Sequence, residues 1–174
     1  MTLRHAIAII LLPGTVTVVI PALILAGGEG ADVDSGIGGL GSILLASLGV
    51  ALIAAGSVLW ASTVRLFAAR GKGTLAPWDP TQKLVVEGPY RHVRNPMISG
   101  VLAILVGEAV IFGSLGLAIW SAAFVAVNHA YFVLVEEPGL ERRFGDDYRD
   151  YKRAVPRWIP RRRVGQGSAA ATGD

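Results

Sequence analysis

The side chains able to do chemistry gather in two short stretches. Thr81 to Gly100, TQKLVVEGPYRHVRNPMISG, is polar and basic and lies between apolar blocks, and Glu136-Glu137 closes the last apolar run. Asn128, His129 and Glu108 are further candidates, embedded in apolar sequence. Gly88-Pro89 breaks any helix entering the first stretch, and Pro96 biases Asn95 away from the right-handed helical region. The backbone from about Glu87 to Asn95 is therefore expected to be irregular and to expose amide donors. Met97 then begins an apolar helix, whose start adds unpaired N–H groups and a positive dipole end. A carboxylate facing such a loop, Glu136 or Glu137, suits ribose hydroxyls or the ammonium group of a ligand. Paired with Arg91 or Arg94, or capping the next helix, it would be structural instead. Ionisable groups at membrane depth are functional candidates by default, although Glu108 can also snorkel or stay protonated and His129 can serve helix packing. Spaced by seven, His129 and Glu136 are expected on one side of the last span. The chain has no cysteine, which excludes disulfides and a thiolate nucleophile, and it carries no metal motif, nucleophile elbow or phosphate-binding glycine loop.

Positioning these groups is the task of an apolar chain. Of 174 residues, 52% are hydrophobic and 17% charged, and the mean hydropathy is +0.53. This is too apolar for an ordinary soluble domain and reads as an all-α integral membrane bundle of about four transmembrane helices. The formal charge of +3 sits in particular loops, which suggests membrane lipids as partners and no nucleic acid. Leu3 to Ala26 is long enough to span; it shares a basic start with secretory signals, but its length favours a retained helix. Gly27 to Gly39 carries acidic residues only and is placed outside. Leu40 to about Val64 is a second span, with Ser47, Ala51 and Ala55 as a small-residue face for close helix packing. The basic segment Arg65 to Arg94 is placed on the cytoplasmic side, with GKGTLAPWDP, residues 71–80, as a non-helical strap. Met97 to Phe112 and Leu115 to Val135, joined by Gly113-Ser114, form a tight hairpin that returns the chain to that side. Glu136-Glu137-Pro138 is expected to end the span and start a new helix with Glu137 as its cap. Asp146 is expected to cap a further helix, Asp147 to Ala154, before Pro156. This C-terminal segment is amphipathic and interfacial, and residues 161–174 form a disordered basic tail. Both termini fall on the cytoplasmic face of the cytoplasmic membrane.

Two blocks carry a resemblance. Leu84-Val85, Gly88-Pro89-Tyr90-Arg91 and Arg94-Asn95-Pro96 to Gly100 make the first. Glu136-Glu137, Leu140, Phe144-Gly145, Tyr148, Tyr151, Val155-Pro156 and Ile159-Pro160 make the second. In order and separation the chain resembles the isoprenylcysteine carboxyl methyltransferase and phospholipid methyltransferase group of membrane enzymes, over roughly Gly71 to Pro160. One domain is expected, 1–160, with two N-terminal helices in 1–70, and the resemblance implies a cofactor-binding core in 71–160. It also implies S-adenosylmethionine as methyl donor, held on the cytoplasmic side by Gln82, Lys83, Leu84, Val85, Tyr90, Asn95, Pro96, Met97, Ile98 and Glu136. The chain departs from the family pattern Arg-His-Pro-x-Tyr-x-Gly at Asn95 and Ile98. It also has Phe132 where the prenylcysteine enzymes place a substrate-gripping Arg, which points away from a prenylcysteine carboxylate as acceptor.

The leading expectation is methyl transfer to a small lipophilic or membrane-embedded carboxylate, thiol or amine. Asn128 and His129 would face the substrate, with His129 as candidate base and no metal. The alternatives are an NADPH-dependent reductase, since sterol reductases look similar around the Arg-x-Pro motif and Arg91 with Arg94 could hold the extra phosphate, and a non-enzymatic accessory protein.

Overall fold

The structure, a computed structural model, describes residues 13–29, 39–70 and 84–159. The strap at 71–80, Gln82, Lys83 and the basic tail lie outside the described residues, as do most of the 27–39 loop and the start of the first helix. The described residues are helical or irregular, without a strand. Helix α1 spans Thr15–Gly28. Pro21 cannot donate a hydrogen bond, and the chain accommodates it by running Thr15–Val19 as a π-helix ahead of it.

Helix α2, Leu40–Arg70, has 31 residues and is therefore about 46 Å long. It runs six residues past the expected end at Val64, because the change from apolar to basic side chains at Arg65 is not a helix stop and no Gly or Pro intervenes before Gly71. Helix α3, Pro96–Phe112, begins on Pro96 at its first position. It ends at Gly113, whose φ of 58° is left-handed and costs glycine little. Ser114 then accepts from the Leu117 N–H at 3.2 Å and caps the next helix.

Helices α2 and α3 touch backbone to backbone. A Cβ on Gly56 would sit 2.5 Å from the Gly100 oxygen, and one on Gly107 would sit 2.7 Å from the Gly49 oxygen. Residues seven apart on α2 thus meet residues seven apart on α3 in the reverse order, an antiparallel contact that only glycine permits. The expected small face, Ser47, Ala51 and Ala55, is exposed instead. Alanine spacing marks a face that allows close packing, but the glycines allow closer approach, and the helix turns them inward.

Helix α4, Leu115–Phe144, passes through Glu136-Glu137-Pro138 without stopping. Phe132–Glu136 is π-helical, and the Glu137 N–H donates to the Phe132 oxygen five residues back. The wider turn accommodates Pro138, which lacks an N–H and would crowd the preceding turn of an α-helix. The expected new helix capped by Glu137 is therefore corrected to one continuous helix. Helix α5, Asp146–Ala154, is capped from Gly145, with Asp146 inside its first turn instead of at the cap.

Val101, Leu105 and Phe124 form the core between α3 and α4, with Trp60 of α2 and Val16 of α1 packed against it. The Trp120 indole N–H donates to the Val16 oxygen at 3.1 Å and ties α1 to α4. Leu40–Leu66 and Leu115–Phe144 are long and apolar enough to cross a membrane; Thr15–Gly28 and Pro96–Phe112 are apolar and shorter. Leu44, Val58, Val127 and Leu134 point outward, more than half exposed, as lipid-facing side chains do. Replacing Gly56 by Val should cost about 2–3 kcal/mol or more through overpacking against backbone. Ala55→Val, on the outward face, should stay within about 0.5 kcal/mol. Thermal midpoints of the two variants in detergent check the difference.

Candidate functional site

The central segment is shaped by Gly88 and Pro89. Gly88 takes a φ of 54°, and Gly88–Arg91 closes as a single 3-10 turn carrying Tyr90. The turn uses most of the amides that the sequence was expected to expose. Tyr90 N–H donates to the Glu87 oxygen, His92 and Val93 donate to the Pro89 oxygen, and Arg94 N–H reaches the Pro156 oxygen at 2.9 Å. The donors that remain are at the start of α3, where Asn95 provides no side-chain cap and Met97 and Ile98 follow Pro96.

Glu137 organises the surroundings. Its side chain is 8% exposed, and its carboxylate receives Arg94 and Arg157 at 2.8 Å each and Lys152 at 3.3 Å. Arg94 belongs to the central segment, Lys152 to α5 and Arg157 to the chain beyond it, so one carboxylate joins the two blocks of the sequence. Lys152 also pairs with Glu141 at 2.7 Å, and Glu141 first, then Glu137, raises its pKa. Beneath this hub, Tyr148, Tyr151 and Val155 form a second core with Leu84 packed on it. The Tyr151 hydroxyl donates to the Tyr90 oxygen at 2.8 Å and fixes the 3-10 turn from below.

Glu136 stands apart. Consecutive helix residues point about 100° away from each other, and none of the ion pairs among the described residues reaches Glu136. It is half-buried and close to Tyr90: burial chiefly, and the Glu136 carboxylate next, push the Tyr90 hydroxyl far above its ordinary value. Tyr90 is thus held neutral within the field of a carboxylate that no cation among the described residues pairs. The structure brings together Tyr90, Glu136 and, through the tyrosine core, Leu84. Val85, Asn95, Met97 and Ile98 are half-buried and Pro96 is buried, and the Ile98 side chain packs into the α3–α4 core.

His129 and Glu136 have separate surroundings, because the π-helical turn between them spoils the seven-residue return to one face. His129 is exposed and lines one end of an apolar groove of about 750 Å³ between α3 and α4. Its Nδ1 accepts from the Trp158 indole N–H at 3.3 Å. Asn128 donates to the Phe124 oxygen of its own helix at 2.8 Å and is not among the groove residues. Glu108 keeps one buried oxygen without a partner among the described residues. Tyr151 was legible as part of the second block, and Trp158 and Arg157 only as members of the amphipathic C-terminal segment; their partners lie 20 to 61 residues away and leave no local signal.

A family model described as phospholipid methyltransferase matches residues 44–147. That range holds both glycine pairs, the 3-10 turn, the start of α3 and Glu136-Glu137. No curated protein matches the chain.

Removing the carboxylate by Glu137→Ala should destabilise the fold by about 3–5 kcal/mol, since it leaves Arg94 buried and unpaired. Glu141→Ala, at a more exposed pair, should cost about 1 kcal/mol or less; urea titration in detergent compares them. Burial raises the pKa values of the Tyr90, Tyr148 and Tyr151 hydroxyls, making them weaker acids in the folded chain. Above about pH 10 the unfolded chain releases protons that the folded chain retains. Stability should be full below that pH and fall above it, with tyrosinate absorbance from these residues appearing together with unfolding.

Proposed function

The chain belongs to the phospholipid methyltransferase family, and from that premise we propose that it transfers a methyl group from S-adenosylmethionine to a lipophilic acceptor at the membrane. The observation that carries this reading is the division of labour between two adjacent carboxylates. Glu137 is consumed by cations, whereas no cation among the described residues pairs with Glu136, whose charge acts on the neutral Tyr90 hydroxyl. A half-buried carboxylate without a cation of its own favours a ligand with positive charge and hydroxyl groups. S-adenosylmethionine has both, together with a carboxylate for the amide donors at Met97 and Ile98 and a base for the apolar wall of Leu84 and Val85. Bound there, the cofactor would supply an electrophilic methyl group. The residues named would orient it and exclude water, which is what in-line transfer asks of a protein. Gln82 and Lys83 complete the proposed contact set.

The same electrostatics argue against NADPH. Arg94 is committed to Glu137 at 2.8 Å, which leaves only the exposed Arg91 of the expected pair for an extra phosphate, and Glu136 would repel one. In the membrane, α1 and α3 join the two longer helices to make four crossings, with α3 and α4 as a hairpin and both termini cytoplasmic. The basic residues Arg65, Arg91 and Arg94 lie on that side by the positive-inside rule, as does the cofactor. Residues 1–160 act as one unit, with His129 facing the acceptor.

Transfer of tritiated methyl groups from S-adenosylmethionine to membrane lipid extract by the purified protein tests this reading. Label should enter the organic phase. Glu136→Gln should weaken cofactor binding roughly 10–100-fold, the loss of about 1.5–3 kcal/mol for hydrogen bonds to a charged group, with an unchanged circular dichroism spectrum. Near-normal cofactor binding by the folded variant would contradict the assignment of Glu136.

A further inference from the structure

Neither the Glu137 hub nor the proposed cofactor contacts use the pair formed by His129 and Trp158. The two rings lie 6.4 Å apart between centroids at 28°, and the Trp158 indole N–H points at His129 Nδ1. Phe132 meets the other side of the contact edge-on, 5.9 Å from the Trp158 ring. An indole nitrogen only donates, so Nδ1 must carry a lone pair, and a neutral imidazole then holds its proton on Nε2. In that form the one basic lone pair of His129 is engaged by the Trp158 indole, and the nitrogen that remains open is the Nε2–H donor.

The groove on which His129 sits has little other polarity. Leu102, Val106 and Val110 of α3 face Ala118, Ala122 and Val125 of α4. Ser121, also in the groove, spends its hydroxyl on the Leu117 oxygen at 2.8 Å. The result is an open apolar groove roughly 16 Å long on the α4 side, from Ala118 to His129 at 1.5 Å per residue, with one donor at one end. A second apolar helix laid in it would bury that N–H against carbon, which is costly. An amphiphile whose head carries an oxygen satisfies both parts.

We infer that Trp158 is a positioning residue that fixes His129 as an Nε2–H donor, and that the α3–α4 groove holds a single-chain lipid by hydrogen-bonding its head oxygen there. For its purpose this rests on the methyltransferase reading, in which the lipid is the acceptor. Its test does not. Palmitic acid bearing a mid-chain diazirine, photolysed with the full-length protein in detergent, should label peptides of α3 and α4 lining the groove. His129→Ala should lower that labelling roughly three- to tenfold, the worth of one hydrogen bond. His129→Gln, whose amide keeps an N–H donor, should retain most of it. In histidine-labelled protein, ¹⁵N spectra should place the His129 proton on Nε2, assigned by its disappearance in His129→Gln, and Trp158→Phe should shift population toward Nδ1–H. Unchanged groove labelling in His129→Ala, or a proton on Nδ1 in the wild type, would overturn the inference. Groove labelling without S-adenosylmethionine binding would sink the methyltransferase reading alone; cofactor binding without groove labelling would sink this inference alone.

Discussion

A carboxylate buried near the end of an apolar helix has to be neutralised, and at Glu137 three cations from three parts of the chain do it. The pairing of a desolvated charge is poor evidence of net stability, since well-packed apolar groups often serve as well. Its consequence here is positional. Arg94 cannot reach Glu137 unless the turn Gly88–Arg91 is in place, and Arg157 cannot unless the chain folds back after α5. The Arg94 amide on Pro156 and the Tyr151 hydroxyl on Tyr90 lock the same two segments through the backbone. With Glu137 satisfied, no cation remains among these for Glu136. The electrostatic contrast between two identical neighbours therefore follows from which one the helix turns toward the arginines.

The membrane part obeys a different constraint. Lipid offers no hydrophobic drive for helices to associate, so α2 and α3 rely on close backbone contact at Gly49 with Gly107 and Gly56 with Gly100. Glycine within a helix costs about 0.5–1 kcal/mol against alanine, a cost offset by dispersion across a backbone-to-backbone seam. That seam supports the start of α3, and hence the donors at Met97 and Ile98. The π-helical turn Phe132–Glu136 is the corresponding adjustment in α4: it carries the chain past Pro138 and separates the surroundings of His129 from those of Glu136.

Much of this was legible from residue types. Gly88-Pro89 and Asn95-Pro96 announced a non-helical segment followed by a helix start, Gly113-Ser114 announced the link, and the paired blocks announced the family. The Glu137–Arg94 contact was visible only as one of several options. What stayed hidden depends on register or distance. Ser47, Ala51 and Ala55 show a regular four-residue spacing, yet glycines seven apart decide the packing face. Pro138 reads as a helix boundary because a π-turn has no signature in residue type. The Trp158–His129 bond spans 29 residues and leaves no local mark in the sequence.

The central claim is that Glu136, which no cation among the described residues pairs, selects a nucleoside bearing an ammonium group over one bearing phosphates. Calorimetric titration of the detergent-purified wild type with S-adenosylhomocysteine, whose ammonium and ribose groups match those of the methyl donor, and separately with NADPH, tests it most directly. Saturable, roughly one-to-one binding of S-adenosylhomocysteine with no heat from NADPH is the result this account requires. Binding of NADPH, or of neither nucleotide, would contradict it.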